Sequence, residues 1–251
     1  MRKPLLSLAV LYLAATISVA QNAPSEMICE VHVNKVKPGM AAQYEQGRAK
    51  HMAWHKAQND AWSWNTWEIT TGQDTGNYLV TSCGHTWKDF DSRDKFNVAD
   101  SENANATMGA SMAEETMAYY TLRAELSATP KPGQQPKYLS VTFFWLKPEG
   151  LTDFTNGVKQ VNQAFSKTST PRATSYWYSL ANGGMGPEMV LVQERNSMAE
   201  MAGTTTKTLE EIMKEAYGND NDLMSLRKAY NGNRSELLQY RPDLSYTAPA
   251  K

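Results

Sequence analysis

Arg48, His51 and His55 are spaced at three, four and seven residues. On a helix, that spacing puts a guanidinium and two imidazoles on one face. A guanidinium grips carboxylates and other anions through a fixed fork of donors. An imidazole donates hydrogen bonds or moves protons near neutral pH. Tyr44 shares the face, and Trp54, Trp62, Trp64 and Trp67 follow closely enough to supply apolar or stacking walls. The expectation is a pocket for a small, partly apolar, anionic molecule. Arg48 would attract the anion, and His51 or His55 would act as hydrogen-bond donor or acid–base. The alternative is a slightly rotated helix, with Arg48 and His55 in solvent and Tyr44 and His51 as satisfied partial core.

His51 and His55 also stand at i and i+4, a spacing that can hold Zn²⁺. Met52 occupies the place of the glutamate in the HExxH protease motif, so that motif is absent. A third ligand would have to come from His32, His85 or Glu68, and no spacing favours one. The sequence therefore assigns no metal ligands and names no cofactor.

The helix face stands out because the chain repeats. Val31–Met40 reads VHVNKVKPGM and Val141–Gly150 reads VTFFWLKPEG, in a register of 110 residues. A repeat of that length is a duplicated domain rather than a solenoid unit. In the second copy the corresponding helix carries Leu151, Phe154, Val158, Val161 and Phe165, an apolar stripe suited to packing on a sheet. In the first copy the same positions are Ala41, Tyr44, Arg48, His51 and His55. Burying those groups without partners is costly, so function is expected in the first copy and plain scaffold in the second.

The elements that must position these residues read β-α-β-β-α-β in each copy. The first copy opens with a β-rich run from Met27 to Val33, punctuated by Pro38-Gly39. A helix follows over Met40 to Gln58, then strands over Trp62 to Thr70 and Tyr78 to Cys83. His32 alternates out of phase with Val31 and Val33 and so faces the other side of its strand, making it a further pocket candidate. Thr86-Trp87-Lys88-Asp89 and Ser197-Met198-Ala199-Glu200 fit capping boxes for the second helices. Helical sequence runs to about Glu115 and about Tyr230, with last strands over Ala118 to Leu126 and Glu236 to Tyr240. This order is the split βαβ, ferredoxin-like unit. Cys29, early in the first strand, and Cys83, at the end of the third, would meet if those strands are antiparallel neighbours, giving a disulfide or a close thiol pair. The expected boundaries are a signal peptide over 1–20, a first unit over 26–127, a linker over 128–136, a second unit over 137–246 and a tail over 247–251.

The β1 ending Lys37-Pro38-Gly39, the aromatic hairpin and the join Gly84-His85-Thr86-Trp87 resemble the dimeric α+β-barrel superfamily, and within it NIPSNAP-like or antibiotic-biosynthesis-monooxygenase-like domains. The resemblance covers nearly all of the chain after the leader. It implies an α+β fold of two fused ferredoxin-like (βαββαβ) units packed sheet to sheet, a dimer made within one chain. It also brings in a cofactor-independent monooxygenase or isomerase with a histidine acid–base, beside a binding protein and a purely structural or interaction module. Haem-degrading members of the superfamily carry a His ligand on the second-half helix of the unit. Trp87 to Met117 contains no His, so the chain departs from that pattern.

Arg2 and Lys3, the apolar Leu5 to Ile17 and Ser18-Val19-Ala20 fit a cleaved signal peptide. The expected product is a periplasmic or secreted protein with no membrane attachment after cleavage. Net charge is −1 with no basic block, so nucleic acid is not an expected partner. The expected partner is a small molecule, with homo-oligomerisation open. No GxSxG, Walker, dinucleotide or CxxC motif is present.

Overall fold

The computed structural model describes residues 26–128, 135–184, 186 and 188–249. The expected signal peptide and most of the expected linker lie outside these residues. The first half runs β1 (Ile28–Val36), α1 (Ala41–Ala57), β2 (Asn65–Ile69), β3 (Tyr78–His85), α2 (Trp87–Asp91), α3 (Asp94–Met108) and β4 (Met112–Leu122). The second half runs β5 (Tyr138–Leu146), α4 (Leu151–Lys167), β6 (Ser175–Asn182), β7 (Glu188–Arg195), α5 (Leu209–Tyr217), α6 (Asn221–Lys228) and β8 (Tyr230–Tyr240).

Each half is a four-stranded antiparallel ferredoxin-like sheet. The two join along both edges, β2 to β8 and β4 to β6, into a closed barrel ordered β1-β3-β2-β8-β5-β7-β6-β4. Closure removes the free sheet edges that each half would otherwise present. Side-chain alternation then divides the residues. Val31 and Val33 point into the barrel, against a core that includes Trp67, Leu79, Val141, Phe143 and Leu238. His32, between them, points outward beneath the helices of the first half, where it lines a cavity.

Two strands are longer than the sequence pattern suggests. β4 begins at Met112, inside the stretch read as helix, and β8 begins at Tyr230 rather than Glu236. Met112–Met117 is rich in helix formers, but pairing along the length of β1 overrides that preference, assisted by Lys35 to Glu114 and His32 to Glu115 cross-strand contacts, each at 2.9 Å. Of the two capping boxes, Thr86–Asp89 forms, with the Thr86 N–H donating to Asp89 Oδ2 at 2.7 Å. Glu200 instead accepts from the Asn196 N–H, and the box of the second half sits at Thr208 and Glu211.

The halves exchange their ends. Arg123 N–H donates to Trp177 O, and Ala128 forms a bridge with Ser175. In return, the segment after β8 crosses to the first half, where Tyr246 forms a bridge with Trp64 and the Ala248 N–H donates to Ser63 Oγ. Residues 247 and 248, read as part of a tail, therefore lie against the first half. Cys29 and Cys83 face each other across β1 and β3 and are disulfide-bonded, with Cα atoms 3.9 Å apart. Among the described residues, no helix is long and apolar enough to cross a membrane.

Candidate functional site

α1 lies over the outer face of the first-half sheet and packs against α3. Gly47 makes the approach close: a Cβ there would collide with the Thr107 carbonyl of α3. The register of the repeat places Gly157 at the same point of α4, where a Cβ would meet Leu226 of α6. The helix contact turns the next residues of α1 toward α3 and the sheet. Arg48, His51 and His55 are buried, at 3%, 4% and 1% exposure, which rules out the rotated-helix alternative.

A cavity of about 490 Å³ opens between α1, α3 and the sheet. Arg48, His51, His55, His32 and Trp64 line it, as do Glu30, Asn34, Asp100 and Glu115. Four other expected pocket residues, Tyr44, Trp54, Trp62 and Trp67, do not. Tyr44 is fully buried above the sheet, stacked on Tyr78 and accepting a hydrogen bond from Asn34 Nδ2. Trp54, at i+3 from His51, turns to its side and packs on His51, His55 and Phe96 behind the cavity wall. Trp67 points to the opposite face of its strand and belongs to the barrel interior. Trp62 stacks on His85 at 3.5 Å between centroids, with Arg93 over the indole.

The histidines are held from behind. His55 Nδ1 lies 2.9 Å from Asp60 Oδ2, and His51 Nδ1 lies 2.9 Å from Asn103 Oδ1. Asp60 also receives hydrogen bonds from Arg93 Nη1 at 2.6 Å, Trp64 Nε1 at 3.0 Å and the Trp62 N–H at 3.1 Å. Burial alone would raise the Asp60 pKa, but the bonds from His55, Arg93 and Trp64 outweigh it and hold the carboxylate well below its usual range. Asp60 is thus an acceptor only, and His55 Nδ1 must carry the proton. With Asn103 Oδ1 beside His51 Nδ1 and Asp60 beside His55 Nδ1, both Nε2 atoms turn forward, toward each other and Asp100.

Those Nε2 atoms meet at 3.2 Å. Asp100 Oδ1, from α3, lies 3.1 Å from His51 Nε2 and 3.2 Å from His55 Nε2. Burial pushes the Asp100 carboxyl up, and the two imidazoles beside it bring it well below its usual range. The His55 imidazole is opposed by burial, but Asp100 and Asp60 raise its pKa overall. His32 bonds Glu115 at 2.9 Å and Glu30 at 2.8 Å. Burial lowers its pKa, yet the two carboxylates bring it up to about 9, so His32 is an imidazolium at neutral pH.

Arg48 stands apart from this pairing. Its Nε donates to Thr66 Oγ1 at 3.1 Å and to the Leu244 carbonyl at 3.3 Å, both uncharged acceptors. Its Nη2 is buried without a hydrogen-bond partner among the described residues. Asn34 Oδ1, also on the cavity wall, is likewise unpartnered.

Asp100, Asp60, Asn103 and Glu115 were missed in the sequence. A signal for two of them exists: Asn97, Asp100 and Asn103 recur every three residues along α3, a polar stripe where a packed helix should be apolar. None of the expected third metal ligands joins His51 and His55. His85 accepts or donates to Ser82 Oγ at 2.8 Å, His32 is held by its own carboxylates, and Glu68 bonds Arg241 at 3.0 Å.

The second half is not solid scaffold. A cavity of about 440 Å³ lies at the corresponding place, lined by Val158, Val161, Phe165, Arg172 and Arg195 among others. It has no imidazole, because all four histidines are in the first half.

Two ferredoxin-like halves closed into one eight-stranded barrel give the α+β-barrel fold, here made within a single chain. Among solved structures, the chain is similar to a protein from Lactobacillus acidophilus NCFM assigned as a monooxygenase, with a TM-score of 0.57 at 10% identity over 89% of this chain and 97% of that one. It is also similar to an anthrone oxidase-like protein (TM-score 0.56, 13% identity, 90% and 95% coverage). A mutant chlorite dismutase from Candidatus Nitrospira defluvii gives a TM-score of 0.55 at 10% identity, over 88% of this chain and 94% of that one. These likenesses establish the fold. No family model matches the chain, and no curated protein matches it in sequence.

Proposed function

We propose that the protein is exported and binds a small, partly apolar anion in the first-half cavity, with Arg48 as the contact for the anionic group. The observation that carries this reading is the buried Nη2 of Arg48, a cavity-lining residue, with no acceptor among the described residues. A buried guanidinium without an anionic partner costs several kcal/mol, and a carboxylate ligand would supply the missing acceptor. Trp64, Val80, Met108 and Met112 give the same cavity an apolar side. The finer likeness to NIPSNAP-like domains rests on the sequence motifs alone. The test is a thermal-shift screen of aromatic and aliphatic carboxylates on wild type and Arg48→Met. A ligand that stabilises wild type and not the variant supports the reading. Equal shifts in both, or none in wild type, oppose it.

A second reading is enzymatic: a monooxygenase or isomerase with His51 or His55 as acid–base. It is favoured by the contact of the two imidazoles at the cavity wall and, more weakly, by the names of the fold neighbours. Turnover of a bound ligand, with or without oxygen uptake, separates this reading from a carrier.

A further inference from the structure

His51 Nε2, His55 Nε2 and Asp100 Oδ1 form a nearly equilateral triangle with edges of 3.2, 3.1 and 3.2 Å. Three donors that hold one metal ion at about 2.1 Å stand about 3.0–3.4 Å from one another, the lower value for octahedral and the upper for tetrahedral geometry. The observed edges fall inside that interval.

Direction agrees with distance. Asp100 Oδ1 is buried and makes no hydrogen bond of proper geometry, although two ring nitrogens are beside it. The two Nε2 atoms meet each other in hydrogen-bond geometry, whereas the carboxylate oxygen beside both does not, which leaves its lone pairs unused. Each imidazole is also fixed from its far nitrogen, His55 by the Asp60 carboxylate and His51 by the Asn103 amide. Such outer partners set the tautomer and the ring orientation of metal-binding histidines. Asp60 is locked in turn by Arg93 and Trp64. Two ring nitrogens and a carboxylate oxygen this close need a proton or a metal cation between them to be stable together.

We infer that His51, His55 and Asp100 form a mononuclear centre for a divalent first-row transition ion, with its remaining coordination positions open to the first-half cavity. Two imidazoles and one carboxylate suit Zn²⁺, Fe²⁺, Co²⁺ or Mn²⁺ and leave room for exogenous ligands. All three donors line the cavity that Arg48 also lines. Arg48 is one helical turn before His51 on the same face of α1, so an anion coordinated to the ion also has a guanidinium within the same pocket. The centre deepens the binding reading, but metal uptake itself does not depend on any organic ligand.

The experiment is titration of tag-free, EDTA-dialysed full-length protein with Co²⁺, followed by visible absorption, and with Zn²⁺ by calorimetry. Wild type and the His85→Gln control should take one equivalent per chain. His51→Gln and Asp100→Asn, checked for folding by circular dichroism, should bind more than about 100-fold more weakly, exceeding the roughly 10–100-fold loss typical of outer-sphere changes. No stoichiometric uptake by wild type, or undiminished uptake by both folded variants, would overturn the centre. Failure to take metal while the His51–His55 pair binds a single proton by NMR titration would also overturn it and assign the triangle to a shared proton. If carboxylates still shift the melting of metal-free wild type but not of Arg48→Met, the pocket reading survives even where the metal centre fails.

Discussion

His55 and Asp60 face each other at 2.9 Å, and each side chain is only 1% exposed. The pair is separated by five residues, across the turn that ends α1, so the histidine and the group that orients it come from one short stretch of chain. Arg93 reaches the same carboxylate from the α2–α3 junction. A buried carboxylate is thus shared by a site residue and by a cation, Arg93, that also packs over the Trp62 and Phe96 rings.

Asp60→Ala should be severely destabilising, because it leaves Arg93 buried without its partner. The expected loss is about 3–5 kcal/mol, as for other broken buried pairs. Urea unfolding of the variant, beside wild type and the double variant Asp60→Ala/Arg93→Met, checks this. The double variant should recover part of the loss; a single variant as stable as wild type would contradict the account.

The close approach of α1 and α3 gives a matched pair of substitutions. Gly47→Ala and Gly157→Ala each add a methyl group where a neighbouring helix leaves no room, and each should cost about 1–3 kcal/mol. Only Gly47→Ala should also weaken ligand binding at the first-half cavity, since it moves Arg48 and His51 away from Asp100 and Asn103. Melting curves and ligand titrations of both variants test this. A Gly47→Ala protein with unaltered binding would show that the helix spacing does not set the site.

His32 makes stability depend on pH on the alkaline side. Its folded pKa, about 9, lies above its ordinary 6.5. Its contribution is therefore complete below about pH 6.5 and is lost as pH rises through about 9, amounting at most to about 3 kcal/mol. The groups facing it are Glu30 on its own strand, Glu115 on β4 and the Trp64 ring. Denaturant unfolding at pH 6 to 10 should show a steeper alkaline decline for wild type than for His32→Gln. Parallel curves would remove His32 from the explanation.

The Cys29–Cys83 bridge closes a separation of 54 residues that contains all of α1, β2 and most of β3. Its reduction, or the double variant Cys29→Ser/Cys83→Ser, should cost about 2–4 kcal/mol. Thiol titration of unreduced, denatured protein should find no free sulfhydryl. Two free thiols per chain would mean that the bridge does not form in the isolated protein.

Much of the fold was legible in the residues themselves. The register linking Lys37-Pro38 to Lys147-Pro148 sets the duplicated βαββαβ order, and period-two alternation around His32 separates barrel-facing from helix-facing positions. The site was legible where contacts are local. Arg48, His51 and His55 share one helix face, and comparison with Val158, Val161 and Phe165 isolates them. Asp100 and Asn103 were not legible in the same way, because they meet α1 only through helix packing that a single-strand or single-helix pattern does not encode. Tyr44, Trp54 and Trp67 were misplaced for a related reason: nearness in sequence does not fix which way a ring turns once the sheet and α3 compete for it. The helix-like Met112–Met117 became strand because β1 offered a complete ladder of partners.

The exchange of chain ends has a consequence for biosynthesis. The carbonyl of Leu244 accepts from Arg48 and Thr66, and Tyr246 Oη donates to the carbonyl of Asp60. Arg241 ties Glu45 of α1 to Glu68 of β2. Every histidine is made long before residues 241–246, yet Arg48 on the cavity wall takes its Leu244 acceptor, and the Asp60 backbone its Tyr246 donor, only from them. A nascent chain would therefore carry Arg48 and the histidines before the segment that braces Arg48 and the Asp60 turn exists, and these side chains would settle into place only once it has docked.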